Sequence, residues 1–205
     1  RKEKEKRKRK GKKKTERNEK NKSVSRLVDL KRHALRNKKE KEVDEALLER
    51  LQLAVTEVNG CAACSYVHTQ IALKQGMSNE EISSFLEGTD TFIQPAEAKA
   101  IAFAQHFADA RGVPTAAAYQ AIVDEYGAAE AAIMRAATQL MLVGNIYGIP
   151  YSAFRSRLKG KPFKKSTLGY ELGMQIGGLL MLPLAVLHGL LANALGRPGL
   201  AFQEA

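Results

Sequence analysis

The amino-acid sequence predicts an all-α protein, and three observations carry that prediction. Alanine and leucine are abundant, aromatic residues make up only 6% and tryptophan is absent, which suits helices packed through small side chains better than a β-sandwich. Apolar residues recur at three- and four-residue spacing in successive segments that proline opens and glycine closes, the pattern of amphipathic helices with defined ends. No stretch alternates apolar and polar residues over the length of a strand. With 205 residues and 44% hydrophobic content, the chain can bury one core and reads as a single domain with appended segments.

Each element follows in order. Residues 1–22 are almost wholly Lys, Arg and Glu; with nothing apolar to bury, they are expected to form a disordered basic tail. Residues 23–41 suggest a short basic helix with Leu27, Leu30 and Leu35 as a thin apolar edge. The main domain is placed at 42–150. Its first helix, 42–58, has Leu47, Leu51, Ala54 and Val58 at helical spacing and Glu42, Asp44 and Glu45 at its N-terminal end. Asn59-Gly60 breaks it, and a second helix runs from about Cys61 to Lys74, closed by Gly76. Ser78 with Glu81 forms a capping box for a short helix at 79–86. Pro95 opens a helix at 95–110, with Ile101, Ala104 and Ala108 on one face and Phe103 and Phe107 beside it. Pro114 opens another, to about Tyr126; Gly127 punctuates, and a sixth runs from Ala129 to about Ile146, its run Leu140–Val143 assigned to the core.

The C-terminal part, 151–205, is expected to be a helical extension. Residues 151–167 are polar and basic, a connection or a frayed helix end. Residues 168–195 are apolar and glycine-rich, and read either as a membrane span or as a pair of helices buried in an oligomer interface. Gln175, His188 and Asn193 interrupt the stretch and Pro183 would break it midway, which favours the interface and makes a membrane role the weaker reading.

Charge narrows the function classes. The formal net charge of +11 suggests a nucleic-acid or membrane binder. Residues 1–40, however, hold 20 Lys+Arg against 6 Asp+Glu, and residues 41–205 hold 13 against 16. The basic excess belongs to the N-terminal appendage, where no aromatic residue interleaves the charges, so no specific nucleic acid is expected as a partner. No apolar segment follows the basic start as in a secretory signal. The two cysteines, three residues apart, suit redox or metal chemistry in a reducing compartment, so a cytoplasmic location is expected.

The informative segment runs from Glu49 to His68. Cys61, Cys64 and His68 fall at spacings of three and four residues, so they share one stripe of the second helix. The cysteines lie in its first turn, where unpaired N–H groups and the helix dipole favour a thiolate. His68, one turn on, can accept or relay a proton. A thiolate, a base and a second thiol suffice to reduce a peroxide: the thiolate attacks the O–O bond, and the other cysteine resolves the sulfenic acid to a disulfide. Glu49, from the preceding helix of an antiparallel hairpin, can orient His68. A zinc site on Cys61, Cys64 and His68 is disfavoured, because three ligands along one helix surround a metal poorly and no second Cys/His pair exists. No metal or other cofactor is expected. Glu57 reads as a solvent-facing charge, His106 as a packed or surface histidine, and His33 as part of the basic segment. His188 is expected to hydrogen-bond a neighbour.

The pattern Glu-x11-Cys-x2-Cys-x3-His on two consecutive helices of an alanine-rich chain resembles the alkyl hydroperoxidase D-like (AhpD-like) branch of the carboxymuconolactone decarboxylase superfamily. Glu49-Arg50, the run from Leu53 to Cys61 and the run from Ala72 to Ser78 fit as well. The resemblance covers about residues 42–150. It implies an all-helical homo-oligomer, trimer or hexamer, with alkyl hydroperoxide reductase or thiol–disulfide oxidoreductase activity. It also implies a hydroperoxide substrate and a dithiol electron donor of the lipoyl kind. Residue by residue, Cys64 matches the peroxidatic cysteine, Cys61 the resolving one, and His68 and Glu49 the proton relay. One departure stands out: members often carry an aromatic residue or histidine just before the second cysteine, where this chain has Ala63. The decarboxylases of the superfamily lack the cysteine pair, which disfavours lactone decarboxylation. The competing reading is a non-enzymatic helical oligomerisation module whose cysteine pair senses redox state.

Overall fold

The computed structural model describes residues 42–194 and 202–203. The expected tail at 1–22 and the expected basic helix at 23–41 therefore lie outside the described residues. Within them the protein is all-helical: α1 (Glu45–Asn59), α2 (Ala62–Lys74), α3 (Asn79–Leu86), α4 (Ala98–Asp109), α5 (Ala116–Leu158) and α6 (Leu168–Ala194).

Local chemistry sets the ends of these helices. Gly60 takes a left-handed conformation at φ 67°, and its N–H reaches back to the carbonyls of Thr56 and Glu57. A side chain there would be strained, so glycine terminates α1 and turns the chain into α2. Ser78 caps α3, its Oγ accepting the N–H of Glu81, as the capping-box pattern predicts. Thr115 caps α5 in the same way through the N–H of Ala118. Gly127 is non-helical at φ 81° and ψ 159°, so α5 is two helical segments joined by a kink at the glycine the sequence marks as punctuation.

Two expectations are corrected. The connection placed at 151–167 is helical as far as Leu158, because α5 runs through Pro150. Proline removes one helical hydrogen bond there. Buried Ala153 and the tethered side chains of Ser152 and Arg157 hold the turn beyond it. The pair of C-terminal helices is instead one helix, α6, which passes through Pro183 without ending. Among the described residues no helix is long and apolar enough to cross a membrane.

The main core joins α1, α3, α4 and α5 around Leu51, Leu53, Val55, Phe85, Ile101, Ile133 and Met134. Ala100, Ala104 and Ala108 are buried on α4, and their small side chains let the helices approach closely. A second cluster holds Phe103, Phe107, Ile122 and Ala131; there Phe103 meets Phe107 and Tyr119 at ring separations of 5.8 and 6.0 Å. Buried Asn145 of α5 donates to the Val55 carbonyl, joining the two helices by a polar contact inside the core. Arg157 grips the fully buried Glu171 at 2.7 and 2.8 Å and also donates to the Ser166 carbonyl, which anchors the start of α6 on the end of α5. The hydrogen bond from the Arg157 guanidinium holds the Glu171 carboxyl below the usual carboxylate range, and desolvation only partly opposes it.

Candidate redox site at the start of α2

Because α1 and α2 are joined by the short Asn59-Gly60 turn, their side chains face each other over a hairpin. Cys61 is the N-cap of α2, in extended backbone conformation, and its sulfur accepts the N–H of Cys64 at 3.3 Å. Cys61 and Cys64 form a disulfide with Cα atoms 5.2 Å apart. Cys61 is fully buried, whereas Cys64 is 8% exposed and lines a cavity.

Glu49 lies on α1, and its side chain is almost wholly buried. Its Oε1 is 2.7 Å from His68 Nδ1. A carboxylate at Nδ1 selects the tautomer that donates from that nitrogen and leaves Nε2 as the acceptor of the ring. His68 lines the same cavity as Cys64. The cavity is an open cleft of about 500 Å³, and its walls are completed by Gln52, Ala63, Val67, Leu140, Met141, Gly144 and Tyr151. Apart from His68, Gln52 and the Tyr151 hydroxyl, those walls are apolar or sulfur-bearing. The four residues singled out in sequence thus come together as one buried carboxylate, one histidine and one disulfide, with the histidine and one sulfur reaching a common space.

Several residues reach this place that the sequence pattern does not reveal. Gly148 of α5 lies against the disulfide: a Cβ built there would sit 2.6 Å from both sulfurs. Ser152, one turn on, accepts the N–H of Ala63 at 3.0 Å and donates to the Gly148 carbonyl at 2.8 Å. The helix that covers the cysteine pair is therefore stitched to the first turn of α2. Ala63, the departure from the family pattern, adds only a methyl group to the cavity wall. The sole sequence signal for this contact is the pair Gly144 and Gly148, one turn apart inside a helical segment, and a small-residue pair does not say what it packs against.

Other expectations are settled by position. Glu57 is half-buried rather than solvent-facing, with its carboxylate against Gly88, where a Cβ would stand 3.1 Å from Oε1. The run at 140–143 is only partly core: Met141 is buried, but Leu140 is exposed and both border the cavity. His106 is a packed histidine whose Nε2 accepts the N–H of Thr115. His33 and the His188 side chain lie outside the described residues. Arg50, next to Glu49, is bound to Glu81 at 2.9 Å and Glu97 at 3.2 Å. Burial raises the Glu97 carboxyl above its ordinary value against the opposing pull of Arg50. Among the described residues, no group of three or more His, Cys, Asp or Glu side chains could hold a metal ion.

Residues 25–106 match the model of the carboxymuconolactone decarboxylase family. The match covers less than half of the chain and is a likeness to a superfamily that contains decarboxylases as well as AhpD-like peroxidases. It spans Glu49, Cys61, Cys64 and His68 and ends within α4, so that α5, with Gly148 and Ser152, lies beyond it. It also begins earlier than the resemblance placed at 42–150. No curated protein gives a significant match to the chain.

Proposed function

We propose that the protein is a thiol-dependent hydroperoxide reductase of the AhpD-like kind, with Cys64 as the attacking thiol. The observation that supports this most is the shared cavity: Cys64 and His68 both border it, while Cys61 is fully buried behind. In the reduced enzyme His68 takes the Cys64 proton, and Glu49 stabilises the imidazolium that forms. The thiolate attacks the terminal peroxide oxygen of an organic hydroperoxide, the O–O bond breaks, and the alkoxide leaves as the alcohol with a proton from His68. Cys64 is then a sulfenic acid. The Cys61 thiol attacks its sulfur, the S–O bond breaks, water departs, and the Cys61–Cys64 disulfide results. A dithiol restores both thiols by exchange and is itself oxidised to a disulfide. The apolar walls favour an organic peroxide, and a lipoyl-like dithiol suits the same space.

The test is to incubate the reduced protein with tert-butyl hydroperoxide and dihydrolipoamide. Multiple turnovers that vanish in Cys64→Ser are expected. Activity surviving replacement of both cysteines by serine refutes the reading. One disulfide formed per chain without turnover points instead to a passive redox sensor.

A further inference from the structure

We infer that Met141 is a second sulfur in the cleft that an organic hydroperoxide oxidises, to methionine sulfoxide, once the cysteine pair is spent. The inference rests on the reading of the cleft as a peroxide site. Met141 borders it together with Cys64 and His68. Met141 and Gly148 are seven residues apart on α5, which is two turns, so they share one stripe of the helix about 10 Å apart. Gly148 is the residue that lies against the disulfide. Between them is Gly144, which also lines the cleft, and a Cβ built there would meet Met141 Cε at 3.9 Å. The thioether end of Met141 is therefore at the cleft wall, on the same side of α5 that faces the cysteine pair.

Burial alone does not single Met141 out. Met141 is 4% exposed, Met77 5% and Met134 1%, so all three are shielded from a reagent in bulk solvent. Met141 differs in bordering the cleft, which neither Met77 nor Met134 lines. With Cys61 and Cys64 joined as the disulfide, neither cysteine has a thiolate to offer. The Met141 thioether is then the remaining reduced sulfur among the residues that line the cleft. Its sulfur attacks the terminal oxygen of the hydroperoxide, the S–O bond forms and the O–O bond breaks. The proton on the transferred oxygen reaches the departing alkoxide through His68 Nε2. The thioether becomes the sulfoxide and the hydroperoxide becomes the alcohol, with no further reductant. The sulfoxide places a polar group in an apolar wall, and such a group is costly to bury unpaired. The cleft therefore loses affinity for organic peroxide when peroxide outruns the dithiol, and a methionine sulfoxide reductase restores it.

The full chain, as its disulfide and without any dithiol, is exposed to tert-butyl hydroperoxide, and the added oxygen is located by peptide mass spectrometry. Met141 should be oxidised several-fold faster than Met77 and Met134. Equal rates at the three, or an intact Met141, overturn the inference. His68→Asn should slow oxidation of Met141 several-fold and leave Met77 unchanged; an unchanged rate at Met141 overturns the proton path. No thiol turnover enters this measurement. Met141 oxidised in a chain that does not turn over peroxide thus refutes the peroxidase reading alone, and turnover with Met141 intact refutes this inference alone. The wild-type comparison stands even where a variant does not fold. A second measurement reads the consequence. After exposure the peroxide is removed and activity is assayed with fresh tert-butyl hydroperoxide and dihydrolipoamide, the disulfide having kept the cysteines from further oxidation. The wild type should retain a several-fold smaller fraction of its untreated activity than Met141→Leu retains of its own; equal fractions overturn the loss of function assigned to the sulfoxide.

Discussion

Replacing Gly148 by alanine tests whether α5 presses directly on the cysteine pair. The added Cβ would stand 2.6 Å from both sulfurs, and ordinary contact begins near 3.4 Å. Helix and disulfide must therefore separate by about 0.8 Å, and overpacking of this kind costs about 1–3 kcal/mol. The backbone effect of the substitution is opposite in sign, since alanine in a helix interior gains about 0.5–1 kcal/mol over glycine. Gly144 supplies the control. It lies one turn earlier in α5, and a Cβ there meets only Met141 Cε at 3.9 Å. Gly144→Ala should thus be neutral or stabilising, and Gly148→Ala should fall about 1–3 kcal/mol below it. For a chain of this size that is about 2–12 °C in melting temperature. Thermal unfolding of the two variants, followed by circular dichroism under oxidising conditions, measures the difference. The gap should narrow under reductant, where separate thiols can take independent rotamers away from α5. If the two variants melt together, the contact between Gly148 and the sulfurs does not exist as described.

Two further outcomes follow from the buried carboxylates. His68→Asn should lower hydroperoxide turnover by about 10²–10⁴-fold, the usual contribution of a positioned acid–base group. Glu49→Gln should lose part of that factor, and the Cys61–Cys64 disulfide should still form in both; steady-state kinetics with free-thiol titration checks this. Glu171 has a folded value below its ordinary 4.5 because Arg157 hydrogen-bonds it. Its contribution to stability is therefore complete above pH 4.5 and declines as pH falls through the depressed folded value. Hydrogen exchange should show α6 losing protection in that acid range, and Arg157→Met should remove the acid step by weakening α6 already at neutral pH.

Much of the helical framework was legible because the relevant physics is local. The Asn59-Gly60 break, the Ser78 cap and the kink at Gly127 each depend on a few adjacent residues, and each appears where the sequence places it. Pro183 misleads because a proline costs only one hydrogen bond locally, and α6 continues through it, as α5 continues through Pro150. Leu140 is apolar and sits in a run that reads as core, yet it borders the cavity and is half exposed.

The chemistry of the site divides along the same line. Helical spacing alone puts Cys61, Cys64 and His68 on one stripe, and a short interhelical turn suffices to bring Glu49 against His68, as the 2.7 Å contact shows. Which sulfur meets the cavity, and what closes the other side of the disulfide, could not be read that way. Gly148 and Ser152 are more than 80 residues from the cysteines in sequence, and they arrive there only because α5 packs back across α1 and α2. Spacing along one helix is set by its 3.6-residue repeat; the approach of a distant helix is set by how the whole core closes.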